Sequence, residues 1–145
     1  PDKSNVDTSK KLHCTISIDC ATILNNLSDL DPAKLDVLPT DGVVLNAVTV
    51  EFSEGESVFD VLQRVCRENN IHLEATFTPG YNSAYVEGIH NLYEFDCGEL
   101  SGWMYSVNGW FPNYGCSRYA VQDGDVIRWR YTCDLGADVG GSMVA

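Results

Sequence analysis

The residues of this 145-residue chain with the most chemistry to offer are its six cysteines: Cys14, Cys20, Cys66, Cys97, Cys116 and Cys133. No C-x-x-C pair occurs, and His13, His72 and His90 stand far apart, so neither set has the spacing of a zinc site. An even count of scattered cysteines points to disulfides, and so to an oxidising compartment, extracellular or on the cell surface. As nucleophiles they are badly placed. Cys14, Cys20, Cys66 and Cys133 fall on apolar faces of their segments, where a thiol is inert or bridged. There is no G-x-S-x-G elbow, no H-E-x-x-H pair and no Gly-rich phosphate loop, so no enzymatic activity is expected; a secreted hydrolase is the weaker alternative. Asp134 and Asp138 lie in a Gly-rich stretch and offer oxygen ligands of the kind calcium takes. Without the terminal bidentate Glu of an EF-hand they read as a polar tail, and no metal is expected.

The second resource is aromatic: three Trp, seven Tyr and five Phe. Trp110, Phe111, Asn113 and Tyr114 sit just past a turn in a Pro-containing loop, where binding residues concentrate. With Tyr81 and Tyr85 they form the candidate ligand-binding set. Their flat faces suit a sugar or a planar cofactor, and their polar tips supply hydrogen bonds. Trp103, Tyr105, Trp129 and Tyr131 alternate along their segments as core residues do. Arg128 and Arg130 take the other face. In a chain of net charge −12 they read as partners for cross-strand acids such as Asp19 rather than as an anion site. The same acidity repels phosphate backbones and anionic membranes, so nucleic acid is not an expected partner. No apolar run is long enough to span a bilayer.

The elements that must position these residues are legible from period. Residues 1–11 are polar and read as a flexible leader. Leu12 to Cys20 alternates as a strand. Ala21 to Leu38 reads as a short helix capped by Thr22, then a second short turn of helix or an irregular loop between Pro32 and Pro39. A strand is expected over Ala47 to Phe52. Ser57 caps an amphipathic helix carrying Val58, Val61, Leu62, Val65 and Cys66. Ile71 to Phe77 is a strand, Pro79-Gly80 a turn, and Tyr81 to Tyr93 mixed. Trp103 to Val107 is a strand, and Asn108-Gly109 predicts a type I′ turn with Trp110 starting a returning strand. Val126 to Cys133 is the last strand, and 135–145 a Gly-rich tail. This order implies a single α+β domain over 12–134. It is β-grasp-like, a mixed sheet with one main helix packed on one face and with first and last strands parallel.

That geometry bears on the cysteines. Cys97 and Cys116 flank the Asn108-Gly109 hairpin and are expected to pair. Cys20 has two candidate partners, Cys66 and Cys133, of which Cys66 is favoured because a strand-to-helix bridge matches both inward faces. Cys14 and Cys133 would then lie too far apart to bridge.

Four stretches stand out together: C-T-I-S-I-D-C (Cys14 to Cys20), G-E-S-V-F-D-V-L (Gly55 to Leu62), N-S-A-Y (Asn82 to Tyr85), and Gly102 to Gly115 through D-G-D-V-I-R-W-R-Y (Asp123 to Tyr131). With them the chain resembles a bacterial exported-domain family of undetermined function related to the C-terminal domain of transcobalamin and intrinsic factor. The resemblance implies a β-grasp fold outside the cell and no catalytic residues. In the transcobalamin relatives this module closes over cobalamin together with a helical barrel that these residues do not contain. No cofactor is therefore assigned, and a cobalamin-like ligand is the one the resemblance allows. The function expected is a non-enzymatic ligand-binding or interaction module, with neighbouring domains of a larger exported chain as partners. The alternative is a structural or adhesive module that binds protein or glycan.

Overall fold

The structure, a computed structural model, describes residues 10–78 and 83–141. The alternation at the start gives β1 (Lys11–Asp19), with Cys14, Ile16 and Ile18 buried. β2 (Val43–Ser53) runs back antiparallel to it. It is longer than the Ala47–Phe52 strand that the pattern predicts. Register shifts around Ile18 break the two-residue period over its first half, and such an irregularity hides a strand from pattern reading. Helix α1 (Val58–Glu68) starts where expected, at a capping box. The Ser57 hydroxyl accepts the Asp60 N–H at 3.1 Å, and the Asp60 carboxylate accepts the Ser57 N–H at 2.9 Å. Its apolar stripe (Val58, Val61, Leu62, Val65, Cys66) is buried.

β3 (Leu73–Thr78), β4 (Ser83–Ile89) and β5 (Leu92–Tyr93) make a small antiparallel sheet. β6 (Gly102–Val107) and β7 (Val126–Thr132) pair antiparallel, and β7 lies parallel to β1. The larger sheet thus has the order β2-β1-β7-β6, the mixed β-grasp arrangement with its first and last strands side by side. Cross-strand partners put Ile16 beside Ile127, Ile18 and Tyr105 beside Trp129, and Trp103 beside Tyr131. These residues and the helix stripe share one core. On the other face Arg130 is the register partner of Asp19, with Nε and Oδ2 3.3 Å apart, the ion pair that the charge balance predicts.

Three expectations are corrected. Residues 21–37 form short 3-10 turns, not a Thr22-capped helix. Thr22 is buried and its hydroxyl donates to the Tyr131 carbonyl at 2.6 Å, so it serves the end of β7 instead of a helix N-terminus. The Asn108-Gly109 turn forms with φ of 55° and 83°, and Val107 and Trp110 exchange backbone hydrogen bonds at 2.8 and 2.9 Å. The pairing stops there. Pro112 has no N–H to give a ladder, and the chain leaves the sheet as a loop. The C-terminal stretch is also packed as far as Gly141. Asp138 accepts the Cys133 N–H at 2.8 Å and the Thr132 hydroxyl, Val139 is buried, and its carbonyl accepts from Arg130 at 3.3 Å. Asp138 is therefore a cap for the end of β7. Among the described residues no group of three or more His, Cys, Asp or Glu is placed to hold a metal ion.

Candidate functional site

A cleft of about 540 Å³ opens where the β6 end of the larger sheet meets β4. Trp103, Tyr105 and Trp129 form its floor, Ala84, Tyr85 and Val86 one wall, and the 111–116 loop the other, with Met104 at its rim. The loop is fixed by contacts that its sequence dictates. The Tyr105 hydroxyl donates to the Tyr114 carbonyl at 2.8 Å, and the Ala84 N–H donates to the Ser117 hydroxyl at 2.9 Å. Gly115 passes so close to β4 that a Cβ there would collide with the Ser83 hydroxyl. At the turn before the loop, the buried Asp125 carboxylate accepts from the Asn108 side chain at 2.9 Å, the Gln122 N–H at 2.8 Å and the Tyr119 hydroxyl at 3.1 Å. The D-G-D turn thereby holds the start of the loop against β7.

The floor carries an unpaired donor. Trp129 is 2% exposed, and its indole N–H has no hydrogen-bond partner among the described residues. Trp103 is also buried, but its indole N–H donates to the Leu92 carbonyl at 2.8 Å. A buried donor left unpaired costs about 1–3 kcal/mol, so such groups mark places where a partner is missing. None of the residues lining the cleft is charged. Burial pushes the Cys116 thiol up to about 12, and Tyr105 above its usual range. Burial, then a 2.9 Å hydrogen bond to Glu94, raises Tyr85 to about 12. At neutral pH all three stay protonated, and the cleft offers aromatic faces and the Asn113 amide, with the Trp129 N–H buried beneath its floor.

Tyr85, Phe111, Asn113 and Tyr114, read from the sequence as candidates, line this cleft together. Trp110 does not. It is 53% exposed and packs outside, edge-on to Tyr114 at 6.1 Å and tilted to Tyr119 at 6.5 Å. Tyr81 lies outside the described residues, as do the Pro79-Gly80 turn and residues 1–9. Trp103, Tyr105 and Trp129 are core residues, as their alternation predicts, and the structure adds that they also line the cleft. Period identifies the inward face of a strand but not where the cover over that face ends.

The cysteines part from expectation. All six are free thiols, and neither Cys97–Cys116 nor Cys20–Cys66 is bridged. Cys116 faces the Ala84 carbonyl at 3.8 Å, on the cleft wall. Cys97 faces the Asn26 carbonyl at 3.4 Å and the Cys133 thiol. The 94–101 loop turns through Phe95 (φ 70°) and is tied by Ser101, which accepts the Cys97 N–H at 3.1 Å. That turn carries Cys97 under the end of β7, away from the hairpin. Burial raises Cys20 to about 12 and Cys66 to about 11.

A β-grasp domain with an uncharged aromatic cleft is the class of protein these features define. Residues 55–133 match the family described as Domain of unknown function (DUF4430), and the chain belongs to that family. No curated protein sequence matches it. The crystal structure of haptocorrin in complex with Cbi is similar, at 15% identity and a TM-score of 0.59. The match covers 90% of this chain but 27% of that one. A second solved structure, from Ruminococcus gnavus ATCC 29149 and presented as a "putative metal binding protein", has 16% identity and a TM-score of 0.47. It covers 83% of this chain and 96% of that one. The haptocorrin likeness shows a common fold. Among the described residues no helix is long and apolar enough to cross a membrane.

Proposed function

We propose that the chain is a non-enzymatic binding module of a larger exported protein, and that its cleft takes a flat, uncharged small molecule presenting a hydrogen-bond acceptor. The observation that carries this reading is the uncharged aromatic cleft, beneath whose floor the Trp129 indole N–H lies buried with no partner among the described residues. A ligand that displaces the floor enough to bring an acceptor to that donor recovers its desolvation cost, while Tyr85, Phe111 and Tyr114 contribute stacking area. The surplus of 21 acidic over 9 basic residues disfavours anions. A non-catalytic role agrees with thiols raised by burial, since a protonated thiol is a poor nucleophile. An extracellular setting agrees with the fold shared with haptocorrin, whose crystal structure holds Cbi. A corrinoid is accordingly the first ligand to try.

The test is an NMR titration of the purified chain with cobalamin, cobinamide and a panel of neutral glycans, following the indole N–H resonances of the three tryptophans. A ligand whose acceptor reaches Trp129 moves that resonance downfield, and by more than that of Trp103, already bonded to Leu92. If no compound moves Trp129, the small-ligand reading fails. The exposed Trp110, with Tyr114 and Tyr119 behind it, then favours the second reading, a structural or adhesive surface for protein or glycan.

A further inference from the structure

The far end of β7 carries a pair of side chains that the cleft does not use. Cys133 follows β7 directly, and Cys97 lies in the loop between β5 and β6. Their thiols lie near enough for each to influence the other's ionisation. Both rest on the same 3-10 turn: Cys97 Sγ is 3.4 Å from the Asn26 carbonyl and Cys133 Sγ 3.6 Å from the Thr22 hydroxyl. The Asn26 side chain donates to the Thr22 carbonyl at 2.9 Å, which ties the two supports together. Beyond the thiols the same two segments are joined again. The Leu135 N–H donates to the Leu100 carbonyl at 3.0 Å, and the Tyr131 hydroxyl to Ser101 Oγ at 3.0 Å. The two segments that carry the pair are thus tied together on both sides of it, the setting in which two cysteines can be brought to bridging distance.

We propose that Cys97 and Cys133 form a disulfide by exchange with an external disulfide, either a small one such as glutathione disulfide or that of a protein oxidant. Cys133 is half-buried and Cys97 is 2% exposed, so Cys133 is the sulfur that an oxidant reaches first. The Cys133 thiolate attacks one sulfur of the external disulfide, forming a mixed disulfide and releasing one thiolate. Cys97 then attacks the Cys133 sulfur and expels the second thiolate, which takes up the Cys97 proton. One disulfide is formed and one reduced, with two electrons and two protons passing to the oxidant. Burial raises Cys97 to about 12, which keeps it from starting the exchange but not from completing it beside an electrophilic sulfur. Burial raises Cys133 above the ordinary thiol range, with its contacts to Thr22 and Cys97 acting in the other direction, so the exchange runs faster at alkaline pH. The bond closes a loop containing β6, β7 and the 111–116 segment, and so braces two sides of the cleft.

The experiment is non-reducing peptide mapping of the monomeric chain before and after incubation with glutathione disulfide, with free thiols alkylated in denaturant. The expected result is a Cys97 peptide linked to a Cys133 peptide, with Cys14, Cys20, Cys66 and Cys116 alkylated. Cys20 is the competitor, since it lies close enough to Cys133 for their charges to interact. A Cys20–Cys133 link, or alkylation of both Cys97 and Cys133 after oxidation, overturns the proposal. A second measurement guards against a misleading map. Oxidation raises Tm by roughly 10 °C on chain-entropy grounds, and C97S and C133S each abolish that rise. A rise that persists in either variant places the bond elsewhere.

Discussion

The two ends of the larger sheet bury similar side chains in different ways. At the β1 end Ile16 and Ile18 meet the stripe of α1 in one core, and the helix is fastened to β2 by Arg64, which donates to the Glu51 carbonyl at 2.7 Å and pairs with Glu56. At the β6 end the same inward face continues through Trp129, Tyr105 and Trp103. There the cover is a loop and the flank of β4, and it leaves a cleft and an indole N–H without a partner among the described residues. The first end is arranged for stability. The second buries its aromatic side chains almost as deeply but leaves a cleft beside them.

The largest effect should come from the helix end. Leu62→Ala removes a fully buried side chain and should cost about 3 kcal/mol, read as a lower urea midpoint. A loss below about 1 kcal/mol would mean that α1 is not the principal cover of the sheet. Alkaline pH should act on both ends in the reduced protein. Burial holds Cys20 and Cys116 protonated to about 12, and Cys14 and Cys66 to about 11, against an ordinary 9.0. Their contribution is intact below pH 9. Above it the unfolded chain sheds protons that the folded chain retains, so stability falls progressively toward pH 12. Denaturant midpoints measured from pH 8 to pH 11 should decline once pH 9 is passed, and a flat profile would contradict the burial of these thiols.

Smaller effects sharpen the contrast. Ser57→Ala removes one half of the capping box and should cost about 1 kcal/mol in the same urea assay, with Asp60→Asn tolerated better. Tyr85→Ala should change stability by less than about 0.5 kcal/mol, because the side chain is half exposed. It should nevertheless weaken by roughly tenfold the binding of whichever compound moves the Trp129 resonance, since an aromatic contact is worth about 0.5–1.5 kcal/mol. Unchanged affinity would remove the β4 wall from the site.

The sequence by itself determined the elements that rest on local chemistry. The two-residue period of β1 and β7, the Ser57–Asp60 capping box with its helical stripe, and the paired positive φ values of Asn108-Gly109 are each encoded within a few residues. The parallel pairing of β1 and β7 followed from their order and from the single helix between them. The face of Trp103, Tyr105 and Trp129 was legible as well. What only the tertiary structure decided is how far that face is covered, because the cover comes from β4 and the 111–116 loop, which are distant in sequence from β7. The cysteines give the same lesson. Pairing by flanking position joined Cys97 to Cys116, whereas a turn at Phe95 and the Ser101 hydrogen bonds bring Cys97 to Cys133. The direction of one loop, set by contacts with the end of β7, decides which thiols meet.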